Sequence, residues 1–203
     1  MVLFYFDLAD DGSLAATNMP DHLNVARKTG LDAIDTPDWQ QITELWNPRL
    51  CRRNFSERFQ EGASLWLIRS EGRLAGYGWT MTGRTIAPHY HPLGANDVHL
   101  FDFLVFPEFR GRNINPSLVR HILNELTAEG SSRAFIEVRE WNRPQMISLA
   151  KTPFRCLGVA RKASLFGKTF VEWSAAPGGS VSQTVQSPAQ DGKTANRVSM
   201  ISR

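Results

Sequence analysis

The stretch that most constrains the fold is a strand, a loop and a helix in immediate succession. Val98-His-Leu-Phe-Asp-Phe-Leu-Val105 is a run of branched and aromatic residues of strand length. Over residues 116–129, Leu118, Val119, Ile122, Leu123 and Leu126 fall on one arc of a 3.6-residue period, the pattern of a helix packed along one side. The connection is Phe106-Pro-Glu-Phe-Arg-Gly-Arg-Asn-Ile-Asn115. Such a strand-loop-helix leaves unpaired backbone N–H groups and the positive end of the helix dipole aimed at one spot, where a phosphate can sit. Arg110 and Arg112 add charge there. No Gly-Lys-Ser/Thr closes the loop and it lacks the G-x-G-x-x-G spacing, so it is neither a P-loop nor a dinucleotide fingerprint. The implied ligand is a diphosphate of another type.

The flanking sequence supplies a sheet and further helices. Met1 to Phe6 reads as a first strand, since Asp7 follows at once and no cationic leader or small-residue cleavage site is present. Thr36-Pro37-Asp38 reads as a helix start with Thr36 as N-cap, running to about Trp46, and a second helix spans 49–60. Runs 64–69 and 74–81 flank the turn Ser70-Glu-Gly-Arg73, a hairpin signal. Residues 85–96 hold Pro88, Pro92, Gly94 and Asn96 and form a loop. A strand over 134–138, a short helix over 143–152 and closing strand material over 163–173 complete the fold. This order predicts an α/β (α+β) domain: a mixed, mostly antiparallel, twisted sheet flanked by helices.

Charge separates the chain into two parts. The whole carries 23 Lys+Arg and 20 Asp+Glu, a net of +3. Residues 174–203 hold Lys193, Arg197 and Arg203 against Asp191, so subtracting these leaves 20 bases and 19 acids in residues 1–173. A basic balance concentrated in a tail weakens a nucleic-acid reading for the body. The tail has no aromatic residue and no helical or strand period, which predicts disorder, with 1–173 as the folded domain. No apolar stretch is long enough to span a bilayer. Cys51 and Cys156 stand far apart without C-x-x-C spacing, which points to a reduced, cytoplasmic setting. The six Trp residues are core and sheet-face choices before they are a base-stacking platform.

At Val105-Phe-Pro-Glu-Phe109 and the loop Arg110-Gly-Arg-Asn-Ile-Asn115, the sequence resembles the GNAT superfamily of acyl-CoA-dependent N-acyltransferases. That family's signature is a strand ending Val-x-Pro-Glu-Tyr/Phe, then Arg/Gln-x-x-Gly-x-Gly/Ala opening a helix. A second block, residues 142–154, matches at Asn142, Lys151 and Phe154, and the resemblance covers roughly residues 36–173. It implies a GNAT-like fold and acetyl-CoA as co-substrate, held by the backbone of Phe103, Leu104 and Val105 and by Arg110, Gly111, Arg112, Asn113, Ile114, Asn115, Asn142 and Lys151.

Three positions depart from the pattern. Asn113 and Asn115 stand where the family usually has Gly and Gly/Ala. Asn tolerates the left-handed region, so Asn113 can still make the turn. Asn115 precedes Pro116, which suits an N-cap. Leu149 occupies the place of a Tyr that protonates the leaving thiolate in many members; Ser148, Lys151, Tyr90 or water must then serve, at a cost on the order of 10² to 10⁴ in rate. Pro153 replaces a Gly and carries no functional reading.

The resemblance implies direct attack of a deprotonated amine on the thioester. His99, six residues before Val105, is the first candidate base, and its alternative is a plain half-buried strand residue. Asp102 is the second candidate, on the opposite face if the strand is regular. His89-Tyr-His91 with Asp97 and His99 invites a metal reading, but without a second matched pair the histidines read as facing solvent or substrate, and no metal is expected. The expected function is N-acetylation of a small polar amine. The alternative is a non-catalytic CoA-binding module of the same fold.

Overall fold

In a computed structural model of the chain, the structure describes residues 1–9, 19–85, 91–165 and 168–175, with the side chains of 162–170, 173 and 175 left aside. One eight-stranded sheet organises them, in the order β2-β3-β4-β5-β6-β1-β7-β8. The strands are β1 (Val2–Asp7), β2 (Leu23–Lys28), β3 (Ser64–Ser70), β4 (Arg73–Thr82), β5 (Asp97–Val105), β6 (Arg133–Val138), β7 (Arg155–Leu165) and β8 (Lys168–Ala175). Every pairing is antiparallel except that of β5 with β6. A parallel neighbour needs a crossover, and the helix α3 (Ile114–Ala128) provides it. The sheet is thus mixed and mostly antiparallel, as the element order predicts.

The parallel pair positions the site. β5 and β6 pair only from Asp97↔Arg133 to Leu100↔Ile136, although β5 runs on to Val105 and β6 to Val138. The two strands diverge beyond Leu100 and leave a gap in the sheet.

The helices cover the sheet. Leu118, Val119, Ile122, Leu123 and Leu126 of α3 are all buried, the arc its periodicity marks. Over β4, α1 (Thr36–Glu44) and α2 (Pro48–Gln60) bring Ile42, Cys51 and Phe55 to the core, and α4 (Arg143–Leu149) buries Leu149. The ring of Phe55 meets Trp79 of β4 edge-on at 4.8 Å. Among the described residues no helix is long and apolar enough to cross a membrane.

Several sequence expectations shift. α3 begins at Ile114, so Asn113 takes the cap position and Asn115 lies in the first turn; Pro116 is tolerated there because first-turn N–H groups have no intrahelical acceptor. Asp35, one residue before Thr36, takes the N-cap position of α1 without a side-chain cap bond. The closing material is two strands, β7 and β8, the latter reaching Ala175. β2 carries no clear strand period because it is an edge strand with polar Asn24, Arg27 and Lys28. The tail beyond Ala175 lies outside the described residues.

Candidate active site

The site begins with an irregularity in β5. Phe101 faces Trp79 and Leu104 faces Tyr77, so three steps on β5 oppose two on β4 and one residue is extra. Asp102 absorbs it with φ of 47°, a left-handed backbone. β4 accommodates this bulge with two glycines. A Cβ on Gly78 would fall 2.4 Å from the Phe103 ring, and one on Gly76 would fall 2.5 Å from the Leu104 carbonyl oxygen. Backbone approach therefore requires glycine at 76, while any side chain at 78 would have to displace the Phe103 ring.

The bulge corrects the expectation for Asp102. A regular strand turns it from the face of His99, but the extra residue brings its carboxylate to Arg58 of α2. That guanidinium lies over the rings of Trp79, at 5.1 Å, and Phe101, at 5.4 Å. The His99 ring stacks on the same Phe101 at 5.1 Å, so Asp102 and His99 both flank it on the α2 side. Asp102 is committed to a cation.

Past the bulge, the ladder sorts the backbone donors. Phe106 N–H bonds to the Ala75 carbonyl at 3.0 Å, which makes Gly76↔Val105 a pair without mutual hydrogen bonds. The Val105 N–H therefore points away from β4 into the gap, whereas that of Leu104 points to Tyr77. A donor facing a gap between splayed strands can polarise a carbonyl placed there.

The gap leads to the start of α3. Gly111 has φ of 79° and Asn113 has φ of 57° and ψ of 22°, so the Asn takes the left-handed turn. No side chain caps this helix. Among the described residues no acceptor meets the N–H groups of Gly111, Arg112 and Asn113, while Ser117 N–H bonds to the Asn113 carbonyl at 3.1 Å. Exposed Arg110 and Arg112 border these donors. Lys151 Nζ donates to Asn113 Oδ1 at 2.7 Å, and Arg120 holds the Lys151 carbonyl. Open N–H groups with Arg110, Arg112 and Lys151 beside them suit a polyanion.

The other predicted cradle residues are spent on structure. Asn115 donates through Nδ2 to Ser148 Oγ at 2.9 Å and to Gln145 Oε1 at 3.3 Å, tying α3 to α4. Asn142 caps α4 by accepting from Gln145 N–H at 3.3 Å. Leu149 is buried and offers no proton.

On the α2 face, His99 is 2% exposed and its Nε2 lies 2.8 Å from Oε1 of Glu137, a partner 38 residues away on β6. Glu137 follows the last paired residue of β6 and reaches back across the opening gap. The loop before β5 is pinned beside this pair. Arg133 donates twice to buried Asp97, whose Oδ2 also accepts from Gly94 N–H at 2.7 Å. Burial pushes the Asp97 carboxyl up, but these donors outweigh it and hold it below its ordinary value. His91 packs on Phe135 at 5.6 Å, and burial with the nearby Arg133 pushes its imidazole down. His89 and Tyr90 lie outside the described residues. Among those described, no three His, Cys, Asp or Glu side chains are grouped to hold a metal. Burial pushes the Cys51 thiol up to about 11, against the opposing pull of Arg58, so Cys51 is no nucleophile.

Sequence reasoning missed Gly76, Gly78, Arg58 and Glu137. The alternation Gly-Tyr-Gly-Trp in β4 was the available signal for the glycines, since a glycine inside a strand marks a bulge or close approach. For Arg58 and Glu137 no local signal exists, because their partners are 44 and 38 residues away.

Comparison with known proteins fits this geometry. The model of the acetyltransferase (GNAT) family matches residues 30–151. None of the curated proteins matches the sequence. A putative GNAT acetyltransferase from Novosphingobium aromaticivorans superimposes with a TM-score of 0.50 at 16% identity, over 76% of this chain and 59% of its own. For an IAA acetyltransferase from Bacillus cereus the values are 0.50 and 15%, over 72% of this chain and 92% of that one. A tandem GNAT protein of the clavulanic acid biosynthesis pathway gives 0.52 and 16%, over 76% and 49%. The chain thus spans little more than half of the first and about half of the last.

Proposed function

Because the chain belongs to the GNAT acetyltransferase family, we propose that it is an acyl-CoA-dependent N-acyltransferase that moves an acetyl group onto the primary amine of a small polar acceptor, in the cytoplasm and without nucleic acid or metal. The observation that carries this reading is the open α3 start at one end of a gap whose other side holds the His99–Glu137 pair. Acetyl-CoA, when bound, supplies the activated acyl group. The N–H groups of residues 111–115 other than those spent within the helix hold its diphosphate, with Arg110, Arg112 and Lys151 around them. Asn115 and Asn142 act indirectly by fixing α4 against α3. Val105 N–H, in the strand segment Phe103 to Val105, stabilises the oxyanion, a contribution of about 3 kcal/mol.

His99 takes the acceptor's proton. The contact of its Nε2 with Glu137 Oε1 at 2.8 Å holds the imidazole in one orientation. The acceptor's ammonium loses one proton to the imidazole, the nitrogen lone pair forms the C–N bond, the C–S bond breaks, and the second proton released by the nitrogen passes through water to the departing thiolate, leaving a neutral amide and a thiol. Asp102 props the bulge through Arg58. Thiol release from acetyl-CoA with a panel of amino sugars, amino acids and polyamines tests the reading. His99→Gln is expected to lower turnover by about 100-fold with acetyl-CoA affinity, measured by calorimetry, within about twofold; unchanged turnover removes His99 from the mechanism. Buried Leu149 favours a second reading, a CoA-binding module without catalysis, which affinity without thiol release would establish.

A further inference from the structure

Among the described residues, the buried carboxylates have guanidinium partners, with one exception. Asp97 is held by Arg133 and Asp38 by Arg69. Glu137, with a side chain only 6% exposed, has a histidine instead. Its Oε1 meets His99 Nε2, and its Oε2 is buried with no hydrogen-bond partner among the described residues. A buried carboxylate oxygen without a donor costs on the order of 1–3 kcal/mol or more, so this oxygen is built to receive one from outside the chain.

Position and shape narrow the donor. Glu137 is the first residue of β6 beyond its pairing with β5, so the oxygen belongs to the gap. Phe135 precedes it by two residues on the same strand face, and Phe101 stacks on its partner His99. Aromatic neighbours favour a cation. With Oε1 taken, the carboxylate cannot accept the two-pronged fork of a guanidinium; a compact ammonium, which needs one oxygen at a time, fits. Asp102 cannot compete, since Arg58 neutralises it.

We infer that Glu137 is the binding carboxylate for the acceptor's ammonium, and that the acceptor is a primary alkylamine entering in its charged form, not an arylamine or an alcohol. The inference rests on the acyltransferase reading for the identity of the acceptor, but its test does not. In protein labelled with ¹⁵N-histidine, propylammonium chloride is titrated and the His99 ring signals are followed, with propan-1-ol as the neutral probe. Saturable shifts are expected with propylammonium only. Glu137→Gln keeps an oxygen for His99 Nε2–H and the side-chain volume but places an NH₂ where Oε2 was, and at least a tenfold weaker response is expected. Thermal unfolding of this variant within a few degrees of the parent certifies its fold. Equal responses to amine and alcohol, or unchanged binding by Glu137→Gln, overturn the assignment and leave water as the occupant of Oε2. If propylammonium binds as expected while no amine releases thiol from acetyl-CoA, the ammonium site stands and the acyltransferase reading falls.

Discussion

Among the described residues three helices begin at an asparagine, and they use it in two different ways. Asn47 accepts from the N–H groups of Arg49, at 3.1 Å, and Leu50, at 3.2 Å, and so closes the start of α2. Asn142 does the same for α4 through Gln145. Asn113 turns into the left-handed region, gives its side-chain oxygen to Lys151 and leaves its helix uncapped. A helix start that satisfies its own donors is finished as structure. One that leaves them open costs stability unless something else fills it.

The largest test of this contrast applies one substitution to both kinds of cap. At Asn113, Asp puts a negative charge beside the proposed diphosphate site, and acetyl-CoA affinity by calorimetry should fall about 100-fold, on the order of 3 kcal/mol. At Asn142, Asp caps as well as Asn and faces the positive helix end, so affinity should hold and stability should stay level or rise by about 0.5 kcal/mol. Equal losses at the two sites would erase the distinction between open and closed helix starts.

How much of this was legible follows from whether each feature is local. The buried arc of α3 could be read because a helix packed on one side repeats its apolar residues every turn, and the Asn113 turn because few residues besides Gly enter the left-handed region. The bulge could not be read at Asp102, since one inserted residue leaves the composition of the strand unchanged while reversing which face its successors take. The opposite facing of His99 and Asp102 was expected only of a regular strand, and the bulge removes that condition. Glu137 looks like any polar alternate in Ala134-Phe-Ile-Glu-Val138 until β6 is laid beside β5. Likewise, no local signal places β1 between β6 and β7, a choice made by long-range pairing.

A second test reads stability in place of affinity. Asn47→Ala removes the acceptor for two backbone donors and should cost about 1 kcal/mol in denaturant unfolding, with acetyl-CoA affinity unchanged. A loss of affinity there would mean that α2 also helps to hold the co-substrate, and the division of labour between helix starts would fail.

The smallest effect is the most discriminating. Asn113→Gly keeps the left-handed turn and the open N–H groups but deletes the amide that Lys151 meets. Relief of left-handed strain favours the variant by up to about 1 kcal/mol, and the greater freedom of glycine in the unfolded chain opposes it by about 0.4–1 kcal/mol. The exposed contact with Lys151 adds a few tenths at most. These terms nearly cancel, so stability should move by less than about 0.5 kcal/mol and acetyl-CoA affinity by less than about threefold. If the site is made of backbone donors, the side chain at 113 matters only through the conformation it permits. A tenfold loss in Asn113→Gly would show that the amide itself, or the lysine it steadies, carries the binding.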